Sequence, residues 1–159
     1  HGISVNIEGK NIIPNVLELS FGVDRNIWAL LDIFFKEEKE RTLFTLPREV
    51  SPFDAAVFPL VNKDNLPKKA KEIYQILNPT FRTFYDHTGS IGKMYRRIDE
   101  IGIPHGITVD HQTLKDNTVT IRNRDDMSQR RVKIKDLKES LDKLNKNLIK
   151  FEKIGKAVK

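Results

Sequence analysis

Apolar positions along this chain follow two periods, and the switches between them mark out its elements. Near the start, "NIIPNVLEL" (11–19) concentrates Ile12, Ile13, Val16 and Leu17 in a run that predicts a short strand. Directly after it, Ile27, Leu30, Leu31 and Phe34 stand at i, i+3, i+4 and i+7, one face of a helix, while Trp28 and Phe35 widen the apolar surface beyond that face. A helix wet on one side has no use for the extra breadth, so this one is expected to pack into something larger. If it finds no such partner, apolar surface stays exposed around Trp28 and Phe34.

A charged run with two prolines, "KEEKERTLFTLPREVSP" (36–52), separates this block from the rest, and the boundary is placed so that the chain divides into 1–48 and 49–159. Downstream, strand and helix patterns alternate. "AAVFPL" (55–60) is a short apolar run, followed by turn residues and a helix with Pro67 in its first turn and Ala70, Ile73, Tyr74 and Leu77 facing inward. "RTFYD" (82–86) is a second strand. The next helix takes Ser90 as its N-cap, aligns Ile91, Met94, Tyr95, Ile98 and Ile101, and ends at Gly102 and Pro104. "GITVD" (106–110) is a third strand. In "TVTIRNRDDMSQRRVKI" two strands flank a polar turn; Thr118, Thr120 and Arg122 alternate with Val119 and Ile121, as in a sheet with one covered face. Ile134, Leu137, Leu141, Leu144, Leu148 and Phe151 then recur every three or four residues, predicting one long amphipathic helix. Strands alternating with crossover helices predict an α/β domain, a mixed sheet flanked by helices.

Composition narrows the class. In 159 residues, apolar types make up 38% and charged types 31%, and no stretch nears the roughly 20 consecutive apolar residues of a membrane span. No membrane partner is expected. There is no cysteine, which excludes disulfides and thiolate metal sites, and the start lacks the apolar centre of a signal peptide; a reducing, cytoplasmic home is the expectation. His1, His87, His105 and His111 show no ligand spacing, so no metal is predicted. The net charge of +6 is uneven: residues 130–159 hold 11 Lys or Arg against 4 Asp or Glu, the rest 17 against 18. Such a basic tail attracts polyanions, nucleic acid above all, or is equally a well-solvated terminal helix.

Three stretches carry candidate chemistry. "GSIGK" (89–93) lacks the glycine spacing of a phosphate loop and has Met94 where that loop has Ser or Thr, so it reads as a turn into a helix. The outer face of that helix bears Lys93, Arg96 and Arg97, able to track a phosphate backbone or simply solvated. "IRNRDDMSQRR" (121–131) offers guanidinium and amide groups suited to paired hydrogen bonds with phosphates and base edges, or forms a hairpin tip in which Asp125 and Asp126 neutralise their neighbours. In "ELSFGVDR" (18–25), Gly22 permits close approach, Arg25 presents a fork suited to phosphate oxygens at a helix start, and Glu18 and Ser20 can bind an ammonium; a buried Arg–Glu pair would explain the same residues.

"PNVLELSFGVDR" closely resembles motif 3 of class II aminoacyl-tRNA synthetases, specifically the glycyl branch of archaeal and eukaryotic type. "VFPLVNKDNLPKKAKEIYQIL", "GSIGKMYRRIDEIGIPHGITVD" and "DNTVTIRNRDDMSQRRVKI" agree with it in the same order. The resemblance covers about Asn11 to Leu144. It implies that Arg25 contacts ATP phosphate as the catalytic arginine, that Glu18 and Ser20 line a glycine pocket, and that the chain from about Val50 is an anticodon-binding domain with a five-stranded mixed sheet. Arg122, Arg124, Asp125 and Gln129, with Lys93, Arg96 and Arg97, are then the candidate contacts to tRNA. Leu19 stands where the family has Pro, Asn123 where it has Asp, Met94 where it has Arg and Ile98 where it has a polar residue.

The intact family enzyme is a homodimer that activates glycine with ATP and Mg2+ and transfers it to tRNA(Gly). This chain shows neither motif 1 nor motif 2, so alone it is expected to bind no cofactor and to be inactive. The alternative is a free-standing, non-catalytic RNA-binding or accessory protein derived from the anticodon-binding domain.

Overall fold

Residues 3–158 are described by a computed structural model. Its first elements are a small hairpin, β1 (Val5–Ile7) and β2 (Lys10–Ile12), closed by Glu8 and Gly9 in the left-handed region, and a helix, α1 (Val23–Phe34). The strand predicted through Val16 and Leu17 is corrected: it stops at Ile12, and 13–22 have no regular structure. A strand exists by pairing, and among the described residues no neighbour pairs with this stretch. α1 forms with its predicted face, but none of its residues is buried.

The charged run at 36–42 is not a plain break. It is the turn of a second hairpin, β3 (Phe35–Glu37) with β4 (Thr42–Phe44), whose Leu43 is buried.

The main body follows as β5 (Ala55–Pro59), α2 (Leu66–Leu77), β6 (Thr83–Tyr85), α3 (Ile91–Ile101), β7 (His105–Val109), α4 (His111–Asp116), β8 (Thr118–Asn123), β9 (Gln129–Lys133), α5 (Leu137–Asn145) and β10 (Lys156–Ala157). The strands form one mixed sheet in the order β10-β9-β8-β7-β5-β6, parallel where β5 meets β6 and β7 and antiparallel elsewhere. It has six strands, not the expected five, because β10 adds an edge. Gly155 lets that edge approach: a Cβ there would lie 2.0 Å from the Arg131 carbonyl oxygen, and its φ is +46°.

Two apolar layers clamp the sheet. On one face, Ala70, Ile73 and Leu77 of α2 and Leu137, Leu141 and Leu144 of α5 meet Val57, Ile107, Val119 and Ile121. On the other, Met94 and Ile98 of α3 meet Ala56 and Phe58. Each fully buried Val, Leu, Ile, Phe or Met among them contributes about 1.5–3 kcal/mol. The second layer corrects the reading of β8 as covered on one face: Thr120 and Arg122 are buried too.

Two further expectations change. Ser90 occupies the N-cap position of α3 without making a side-chain cap bond. The long C-terminal helix ends at Asn145, where Asn147 turns left-handed (φ 54°) and the Leu148 N–H reaches the Lys143 carbonyl at 2.9 Å. Asn tolerates that conformation, and the six-to-one bond closes the helix end. Leu148 is left exposed, while Phe151 returns in a single 3-10 turn to the sheet. α4 is too short to show a period in the sequence; Asp110 and Thr113 form its capping box.

Candidate functional site

The densest polar constellation lies where α3, the β8–β9 turn and the β3–β4 hairpin converge. Asp99 emerges from α3 on its sheet-facing side. It accepts two bonds from Arg122 of β8, Nη1 to Oδ1 at 2.8 Å and Nη2 to Oδ2 at 3.0 Å, and a third from Arg41 Nη1 at 2.9 Å. All three side chains are almost wholly enclosed. Arg122 also lies over the Tyr95 ring, 4.7 Å from its centroid, and the Tyr95 hydroxyl meets the Thr108 hydroxyl at 2.7 Å. Burial pushes that phenol above its usual value, so it stays neutral.

Arg41 fastens the hairpin to the turn as well, donating to the Arg124 carbonyl at 2.8 Å and to Glu38 at 2.7 Å. Arg124 is buried and spends its guanidinium on the Leu46 and Gly102 carbonyls (3.0 and 2.8 Å) and on Asp125 (2.8 Å). In the turn, Asp126 accepts from Asn123, the Ser128 amide and the Ser128 hydroxyl, and Met127 takes a left-handed φ of 58°. Burial opposes ionisation of Asp126, but these bonds hold its carboxyl below the usual range.

Above this floor opens a cleft of about 520 Å³, walled by Lys39, Gly92, Tyr95, Arg96, Met127 and Gln129, with Glu38 and Glu40 at the hairpin. Its chemistry is that of recognition rather than reaction. Gly92, Tyr95 and Met127 present apolar surfaces for a flat ring, and Gln129 and Arg96 supply directional donors and an acceptor at its edge. Two guanidiniums beneath share the Asp99 carboxylate and Arg41 has Glu38 as a second partner, so the floor is charge-matched, with Lys39 and Arg96 above it.

The tRNA candidates separate by environment. Arg96 is exposed and Gln129 half-buried at the cleft; Lys93 is exposed beside it on α3. Arg97 turns away and is bound by Asp86 and the Thr88 carbonyl. Arg122 lines the cleft while paired, Arg124 is enclosed, and Asp125 is exposed at the turn. Sequence reasoning missed Met127, whose signal is one large apolar residue inside a polar turn, and Asp99 and Arg41, whose partners are distant in sequence.

Glu18, Ser20 and Arg25 are all exposed; the first two lie in irregular chain and Arg25 in the first turn of α1. None lines the cleft. Gly22 has an ordinary φ of −75°, and a Cβ there would meet only the Arg25 Cβ at 3.8 Å. Among the described residues no three His, Cys, Asp or Glu side chains group to hold a metal ion, and no helix is long and apolar enough to cross a membrane. His1 falls outside the described residues.

Residues 54–144 match the family model described as the anticodon binding domain. The chain is 48% identical over 139 residues to the glycine–tRNA ligase of Methanothermobacter thermautotrophicus, an alignment covering 87% of this chain and 25% of that protein. It is 38% identical over 155 residues to that of Aeropyrum pernix, covering 96% and 27%. It therefore spans about a quarter of the length of these relatives. Among solved structures, prolyl-tRNA synthetase from Cryptosporidium parvum complexed with halofuginone and AMPPNP superposes with a TM-score of 0.60 at 22% identity, covering 65% of this chain and 23% of that one, a likeness of fold.

Proposed function

From the premise that this chain belongs to the anticodon binding domain family and is homologous to the C-terminal region of archaeal and eukaryotic-type glycine–tRNA ligases, we propose that it reads the anticodon arm of tRNA(Gly). The cleft beside α3 carries this reading, because it joins the apolar surfaces of Tyr95 and Met127 to the Gln129 amide and the exposed Arg96 guanidinium over a rigid, ion-paired floor. Gln129 bonds a base edge and Met127 packs on its face. Arg96 and Lys93 meet phosphates, while Arg122, Arg124, Asp125 and Arg97 hold the walls in place. Planar amide and guanidinium groups give paired bonds to bases, each worth about 1–3 kcal/mol of discrimination.

The segment 1–48 is then the end of a catalytic domain. Within the longer ligase, Arg25 aligns ATP phosphate while the glycine carboxylate attacks the α-phosphorus and pyrophosphate leaves, and Glu18 and Ser20 hold the glycine ammonium. The described residues hold no donor set for Mg2+, which enters with ATP. Homodimerisation and a cytoplasmic location belong to the same proposal. A second reading, a non-catalytic RNA-binding protein, is favoured by one observation: Glu18, Ser20 and Arg25 stand exposed, and among the described residues no strand pairs with the stretch that carries them.

Binding of the full chain to tRNA(Gly), measured across a salt series, tests the proposal. Affinity should fall with salt and weaken when the anticodon cytosines are changed. Q129L should weaken discrimination more than affinity. Equal affinity for an unrelated tRNA would overturn anticodon reading. Glycine-dependent ATP–pyrophosphate exchange should be absent from this chain alone.

A further inference from the structure

Arg48 stands apart from the other arginines that are not fully exposed. Arg41, Arg97, Arg122, Arg124 and Arg131 each have a carboxylate within 4.0 Å, and Arg130 donates to the Ile154 and Gly155 carbonyls. Arg48 is half-buried, yet among the described residues its guanidinium donates only to a neutral amide, the Asn147 Oδ1 at 3.3 Å, with no carboxylate in range. Burial correspondingly holds it below its usual value, and the acids whose field reaches it, Asp125 and Glu49, are exposed.

The group faces a pocket of about 580 Å³ formed by the turn Asn147–Lys153, in which Lys150 and Lys153 join Arg48 and Glu152 is the single carboxylate. Behind it, the Phe151 ring stacks on buried His105, centroids 6.0 Å apart, and neither His105 ring nitrogen has a partner. The positive fields of Arg48 and Arg124 reach that imidazole. Three cations converge on a polar hollow that supplies too little negative charge.

The geometry points to a second binding pocket, at Arg48, Lys150 and Lys153, that takes a phosphate group of bound RNA. A guanidinium fork with two ammonium groups suits phosphate oxygens, and partial burial strengthens each charge-assisted bond. RNA is the source because Arg124, in the turn that carries Met127 to the base cleft, donates to the carbonyl of Leu46, two residues before Arg48, at 3.0 Å, so the pocket and the cleft share one structural tie. This identification rests on the anticodon reading; the anion chemistry does not.

The test uses 1H–15N NMR on the full chain, first with inorganic phosphate and then with the anticodon stem-loop of tRNA(Gly). Phosphate should move the amides of 147–153 and the Arg48 Nε signal, and R48Q should abolish the effect. For the stem-loop, R48Q should reduce the salt slope of log K by about 0.7–0.9, one phosphate contact, and R48K should restore most of it. No movement with phosphate, or a wild-type slope in R48Q with anticodon selectivity intact, overturns the pocket and leaves the anticodon reading standing. Phosphate binding at 147–153 with no binding of the stem-loop supports the anion site and overturns the anticodon reading.

Discussion

Arg122 and Asp99 meet in a two-bond ion pair, 2.8 and 3.0 Å, sealed between the sheet and α3. Arg41 adds a third bond to the same carboxylate from a hairpin 58 residues earlier in the chain. Arg122 has the Asp99 carboxylate and Arg41 shares it while also holding Glu38, so the two guanidiniums under the cleft are ion-paired. The same contact locks the hairpin, the helix and the strand into one wall.

Removing Asp99 leaves the enclosed Arg122 guanidinium without its counter-charge and Arg41 with Glu38 alone. D99A should destabilise the fold by about 3–5 kcal/mol, the usual cost of breaking a buried pair from one side. Urea denaturation measures it. A loss under about 1 kcal/mol would show that the arginines find other partners.

His105 is held neutral: burial, then the fields of Arg48 and Arg124, lower its pKa to about 3. Unfolded, it titrates near the ordinary value of about 6.5. The unfolded state thus binds the extra proton between these values, so stability is full above pH 6.5 and falls as pH drops, by about 1.4 kcal/mol per unit. The carboxylates Asp86 and Asp110, held below their usual range, add their losses at lower pH. H105F keeps the stack on Phe151 and removes two unpartnered ring nitrogens. Its denaturation midpoint should be flatter between pH 6.5 and about 4.5; an unchanged slope would place the titration elsewhere.

Trp28 is the single tryptophan and 74% exposed on α1, near Phe21 and Ile27, which are exposed as well. Its emission should match that of a free tryptophan analogue in water and be quenched fully by acrylamide. In the longer ligase, the same residue should emit to the blue as the catalytic remainder covers it. Blue-shifted emission from the dilute chain alone would show that this face is already covered.

Much of the main body is legible in local pattern. Ala70, Ile73 and Leu77 of α2 and Met94 and Ile98 of α3 repeat at helical spacing because one side of each helix faces the sheet. Where periodicity misled, a specific competing effect intervened. Leu148 continues the spacing of α5, but a left-handed Asn147 ends the helix before it. Thr120 and Arg122 look like an exposed face, yet both are buried, the arginine beneath α3, with Asp99 making its burial tolerable. The run at 36–42 looks like a linker because its charged residues flank a turn, while Leu43 and Arg41 insert into the body.

By itself, the sequence determined the order of the strands, and of the helices other than α4, from Ala55 to Lys133, the basic C-terminal tail and the family to which the chain belongs. Tertiary structure alone decided which arginines are free. Helical and strand periods are set by backbone geometry within a few residues, so they can be read along the chain. The role of a guanidinium depends on whether a carboxylate lies within hydrogen-bond distance through space. Arg122 has one 23 residues away, Arg41 has one 58 away, and Arg48, of identical type, has none among the described residues.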